Sequence, residues 1–69
     1  MEIRINNQLK KFPQHTSITV QQVLDIEMPE KQKGIAVAVG DTVVQRSQWA
    51  KTNLTNGQEL LIIKATQGG

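Results

Sequence analysis

One stretch of this chain, Val20 to Met28, carries helical periodicity, and it stands between two segments whose apolar residues alternate or run together as in strands. A lone amphipathic helix must bury its apolar stripe, and with no second helix at hand the covering element has to be a sheet. Val20, Val23 and Leu24, with Met28 at the end, form that stripe, while Gln21, Gln22, Asp25 and Glu27 fall on the water side. Thr19 and Gln22 stand at capping-box spacing and Ile18 and Val23 at the two positions of a hydrophobic staple, so the helix is predicted to start at Val20. Pro29 ends it by position. Asp25 and Glu27, the one pairing of carboxylates in the chain, read as a solvated helix face and not as an acid–base pair.

The strands emerge from the remaining pattern. Met1-Glu2-Ile3-Arg4-Ile5-Asn6 alternates with period two, which points Ile3 and Ile5 inward. Asn6-Asn7-Gln8 tolerates turn geometry, and Leu9 to Phe12 returns as a second arm that Pro13 closes. After the linker Glu30 to Gly34, the run Ile35-Ala36-Val37-Ala38-Val39 is apolar throughout. It describes a strand covered on both faces, or covered on one and open to a partner on the other. Its larger side chains, Ile35, Val37 and Val39, are assigned to the helix side and Ala36 and Ala38 to the other. Gly40-Asp41 is a turn into a short strand at Val43-Val44, and Arg46 to Ala50 reads as one helical turn capped by Ser47, with Trp49 on the edge of the core. Asn56-Gly57 marks a further turn, and Leu60-Leu61-Ile62-Ile63, continuing through Lys64 and Ala65, is the strongest strand. The expected class is therefore α+β: a ubiquitin-like β-grasp, a mixed sheet of four to five strands with one main helix across one face. The first and last strands lie parallel at the centre. Residues 1–66 make up this domain and 67–69 a flexible diglycine tail.

Composition removes most chemistry. A chain of 69 residues has room for one small core, and the absence of cysteine excludes disulfides, thiolate metal sites and a cysteine nucleophile and points to a reducing, cytoplasmic setting. The net charge of +2 comes from scattered basic residues, which gives weak support to nucleic-acid binding. No apolar run approaches the length of about 20 residues that spans a bilayer. The single histidine, His15, sits in a polar loop without partners and reads as solvated, and Gly34 and Gly40 lack the spacing of a phosphate-cradling loop. The chain reads as a protein that is not itself an enzyme, with no bound cofactor and no metal.

The informative feature is Gly68-Gly69. Two successive glycines at a chain end arise by chance in roughly one protein in two hundred, so the bland reading is a frayed end. The chemical reading makes the Gly69 carboxylate the reactive group. Glycines lack Cβ, so such a tail can thread a crevice too narrow for other residues and bring its carboxylate to a nucleotide. Adenylation by ATP would turn a carboxylate oxygen into a leaving group for a sulfur or nitrogen nucleophile.

With this element order and Gly68-Gly69, the chain resembles the ubiquitin-like sulfur carriers, and within them the ThiS family of thiamin biosynthesis. The likeness covers the whole chain. It is carried by Met1-Glu2-Ile3 with Asn6-Asn7, by Thr19 to Leu24, by Ile35 to Val39 and by Val43 to Trp49, with Arg46-x-x-Trp49 and the diglycine its most specific parts. Gln45 stands where members commonly have proline. The resemblance implies that a ThiF-type adenylyltransferase uses ATP and magnesium to adenylate Gly69. Sulfur drawn from cysteine by a desulfurase then replaces AMP, and the resulting thiocarboxylate supplies ThiG, the thiazole synthase.

If Leu60 and Ile62 face the helix, alternation puts Leu61 and Ile63 on the open face beside Ala36 and Ala38, with Ala65 further along, as a partner-binding surface leading to the tail. The opposite register would exchange the two sets. Arg4, Lys64 and Arg46 could steer an acidic partner or simply be solvated. Other readings stay open: a sulfur carrier for molybdopterin synthesis, a ubiquitin-like modifier, or a β-grasp module that binds protein or RNA with its sheet.

Overall fold

The hairpin that opens the chain owes its geometry to two asparagines. Asn6 and Asn7 have φ of +49° and +69°, the left-handed values of a two-residue turn whose twist matches a strand pair, and asparagine is the side-chain-bearing residue that best tolerates them. In the computed structural model, which describes residues 1–30 and 32–64, this turn joins β1 (Glu2–Ile5) to β2 (Gln8–Lys11). The second arm thus starts at Gln8, before Leu9, and stops short of Phe12, which leaves the strand and is buried.

Among the described residues the elements succeed one another as β1, β2, β3 (Ile18–Thr19), α1 (Val20–Glu27), β4 (Ile35–Val39), β5 (Thr42–Val44), a 3₁₀ helix Arg46–Lys51, β6 (Asn53–Leu54) and β7 (Glu59–Lys64). The main sheet runs β2-β1-β7-β4-β5. At its centre β1 and β7 are parallel, Arg4 opposite Glu59 and Ile5 opposite Leu60, while β7 and β4 are antiparallel from Val39–Leu60 to Ile35–Lys64. This is the expected β-grasp.

Helix α1 begins at Val20 because the capping box closes in both directions. The Gln22 amide donates to Thr19 Oγ1 at 3.1 Å and the Thr19 amide to Gln22 Oε1 at 2.8 Å, an arrangement that contributes about 1 kcal/mol. Val20, Val23 and Leu24 are buried and pack on Ile3, Ile5, Val37 and Leu60 from the sheet, while Met28 is half-buried at the end of the stripe.

Three features depart from the sequence reading. The strands β3 and β6 form a separate two-stranded sheet, Ile18 opposite Leu54, which clamps the start of α1: the Val20 amide donates to the Thr52 carbonyl at 2.9 Å. The turn at residues 46–51 is a 3₁₀ helix whose N-cap is Gln45, with no side-chain cap, so Ser47 has no capping role. Trp49 lies within the core at 2% exposure, not on its edge. Its Nε1 donates to the Val44 carbonyl at 2.9 Å, which removes the cost of burying the indole N–H.

Candidate functional site

Strand β7 leads from the centre of the sheet toward the sequence position of Gly68 and Gly69. Ala65, Gly68 and Gly69 lie outside the described residues. On one side β4 accompanies β7 as far as Lys64. On the other, the paired residues of β1 stop at Leu60, because the chain turns away at Asn6-Asn7. Beyond that point the Asn6 side chain takes over. Asn6 Oδ1 accepts from the Ile62 amide at 2.8 Å, and Asn6 Nδ2 donates to the Ile62 carbonyl at 3.2 Å. Sequence reading found Asn6 as a turn residue and missed this contact, which joins residues far apart in the chain.

Alternation along β7 is the one expected. Leu60 is fully buried and Ile62 half-buried against the core under α1, whereas Leu61 and Ile63 are 40% and 50% exposed on the open face. Ala38 lies opposite Leu61 and Ala36 opposite Ile63, so the structure brings these four residues together. Ala38 is nonetheless buried. It has Leu61 on one side and Val43, its partner on β5, on the other, and two larger side chains cover a methyl group between them. Val43 and Leu9, both exposed, extend the same face and were not among the expected residues. Their registers place Val43 opposite Ala38 and Leu9 opposite Arg4. Among the described residues the exposed large hydrophobics are Leu9, Ile26, Val43, Leu61 and Ile63, and all but Ile26 belong to this face.

Arg46 and Lys64 meet elsewhere, in a shallow depression that also includes Asp25, Gln32 and Lys33. The Arg46 guanidinium lies 5.3 Å from the centre of the Trp49 ring and donates to the Gln32 carbonyl at 3.3 Å. The Gln32 side chain donates to Asp25 at 2.9 Å and accepts from Gln21, which also donates to Asp25 at 2.9 Å. Hydrogen bonds from Gln32 and then Gln21 hold the Asp25 carboxyl below its ordinary range. This carboxylate ties α1 to Gln32, in the segment before β4. His15, read as a solvated loop residue, is half-buried with its ring edge-on to Phe12 at 6.4 Å. Among the described residues no group of three or more histidine or acidic side chains could hold a metal ion, and no helix is long and apolar enough to cross a membrane.

An apolar sheet face beside a strand that runs on toward a diglycine is the layout expected of a carrier, and the family comparison decides which. The ThiS family model matches residues 3–69. The chain belongs to the ThiS family. It is 29% identical over 69 residues to the sulfur carrier protein ThiS of Escherichia coli (strain K12), covering the whole of both chains. Its fold superposes on the crystal structure of the thiamine biosynthesis protein ThiS of Geobacter metallireducens with a TM-score of 0.87 at 17% identity, all of both chains being covered. The solution structure of a thiamine biosynthesis protein from the same organism gives 0.79 at 17% identity, over all of this chain and 88% of that one. These solved structures, at low identity, share its β-grasp fold.

Proposed function

We propose that this ThiS-family chain carries sulfur as a thiocarboxylate on Gly69 and delivers it for thiazole formation in thiamin biosynthesis. The observation that carries this reading is the family match, which runs through Gly69. In the proposed sequence the Gly69 carboxylate attacks the α-phosphorus of ATP, held with magnesium in a ThiF-type adenylyltransferase, and pyrophosphate leaves. The outer sulfur of a persulfide, formed from cysteine on a desulfurase, attacks the acyl carbon of the adenylate and expels AMP, and a thiol reductant then cleaves the resulting acyl disulfide to leave the thiocarboxylate. ThiG, the thiazole synthase, receives the sulfur. In this scheme the carrier is a co-substrate of its partners and supplies the reacting carbon, a narrow stalk and a docking face. The chain has no cysteine, so no side-chain thiol of its own competes for the sulfur.

The test is the intact mass after incubation with ATP, magnesium, an active ThiF-type adenylyltransferase, a cysteine desulfurase and cysteine. The expected result is the mass change of one oxygen replaced by sulfur, mapped to Gly69 and absent without ATP. An unchanged mass with several active adenylyltransferases would sink the proposal.

The same reading makes the open face around Leu61, Ile63 and Ala36 the surface that docks on the adenylyltransferase. Leu61→Asp is expected to raise the KM for the carrier about tenfold or more, as losing a central apolar contact does. Because Leu61 is partly exposed, the substitution should change stability by about 1 kcal/mol or less. Steady-state activation assays alongside urea unfolding check both halves.

A further inference from the structure

We infer that Asn6 is a positioning residue for the tail, its side-chain amide serving as a substitute strand residue that aims β7 after β1 has ended. The inference rests on the proposed chemistry at Gly69 for its functional half and on hydrogen-bond geometry for its structural half.

The parallel ladder between the first strand and the last uses alternate carbonyls, beginning at Gln58 just before β7. The Arg4 amide donates to the Gln58 carbonyl at 3.0 Å and the Asn6 amide to the Leu60 carbonyl at 3.1 Å. Ile62 is the next position in that series, and there the backbone of the first strand has already left. An asparagine side chain carries one amide donor group and one carbonyl acceptor, the same pair that a strand residue would present. Asn6 uses both on Ile62, at 2.8 and 3.2 Å. Two demands thus meet in one residue: a φ of +49° that starts the turn, and an amide that continues the ladder beyond it. Glycine meets the first alone, and glutamine is poorly suited to positive φ.

Past Ile62 the chain approaches the tail. With the Asn6 clamp in place, β7 is held on both sides at Ile62; without it, bilateral support ends at Leu60. A tail whose carboxylate must reach a nucleotide in a partner depends on the direction in which it leaves the sheet, and small errors of alignment at a reacting atom cost large factors in rate.

Asn6→Gly is the decisive variant, because it keeps the positive φ and removes only the amide. The expected result is a folded protein in which the Ile62 amide exchanges with deuterium at least about tenfold faster than in the parent chain. With the adenylyltransferase, kcat should fall about tenfold while KM for the carrier stays within about twofold, since the docking face is unchanged. Faster exchange at Ile62 with an unaltered kcat would overturn the tail-aiming role, and unaltered exchange would overturn the clamp itself. A parent chain that is never adenylated by an active partner would instead bring down the carrier reading and the aiming role with it, leaving the exchange result to decide the clamp alone.

Discussion

Removal of Gly68 and Gly69 should abolish sulfur acceptance altogether while leaving the unfolding transition where it was. In the proposed mechanism the Gly69 carboxyl carbon is the atom that reacts, so the deletion moves the only carboxylate of the tail back by two residues, about 7 Å of extended chain. It also puts Gln67, with a full side chain, where the activating site would receive a residue lacking Cβ. Both effects remove the aligned approach that makes a bound reaction fast, and the loss should exceed about a thousandfold. Stability should stay within about 0.5 kcal/mol of the parent value, because the deletion keeps every residue of the hydrophobic cluster seen among the described residues. Intact mass and a thermal melt on the same sample read the two quantities. A truncated chain that still gained sulfur would mean that the reacting group is elsewhere, whereas a truncated chain that kept its biological role without sulfur would favour a β-grasp binding module.

Trp49→Ala is expected to have the largest effect on folding. The indole is 2% exposed, and truncating a buried aromatic residue to alanine costs about 3–5 kcal/mol. The Val44 carbonyl loses its donor at 2.9 Å, and the Arg46 guanidinium loses the ring beneath it. A domain of this size has a net stability of only about 3–5 kcal/mol, so the variant should be largely unfolded at room temperature. Circular dichroism with a urea titration is the appropriate measurement, because Trp49 is also the only tryptophan reporter. Trp49→Phe, which keeps an aromatic ring in the core and loses the N–H, should fold with a lowered midpoint. A Trp49→Ala chain with a cooperative melt within a few degrees of the parent would show that the 3₁₀ segment is peripheral to stability.

Most of what local pattern can encode was readable. The capping box at Thr19 and Gln22, the inward set of Ile3, Ile5 and Val37 and the alternation of Leu60 to Ile63 depend on neighbours in sequence, and each stands where periodicity puts it. The strands β3 and β6 were not readable because each is two residues long and acquires its state from the other, across the whole of α1, β4 and β5. A pattern of period two needs more residues than that to be visible. Ser47 has the chemistry of a cap but sits inside a 3₁₀ turn that already starts at Arg46, so its hydroxyl has no orphan amide to serve. At the candidate site, the open face could be derived from alternation, while the extension of that face through Val43 and Leu9 depended on which strands become neighbours. The Asn6 clamp was hidden for the same reason: its turn propensity is local, and its partner Ile62 is supplied by topology alone.

The central position of β7, last in sequence among the described strands, bears on how such a chain comes off the ribosome. Until Glu59–Lys64 has emerged, β1 has only β2 beside it and β4 only β5, two hairpins with a gap where the middle of the sheet belongs. Isolated two-stranded hairpins are marginal in water, and pairing Ile5 with Leu60 closes a loop that spans α1, β4 and β5, so the domain can condense only after β7 has been made. The open apolar face and the strand that precedes the diglycine in sequence therefore come into being together, and a half-made chain has neither.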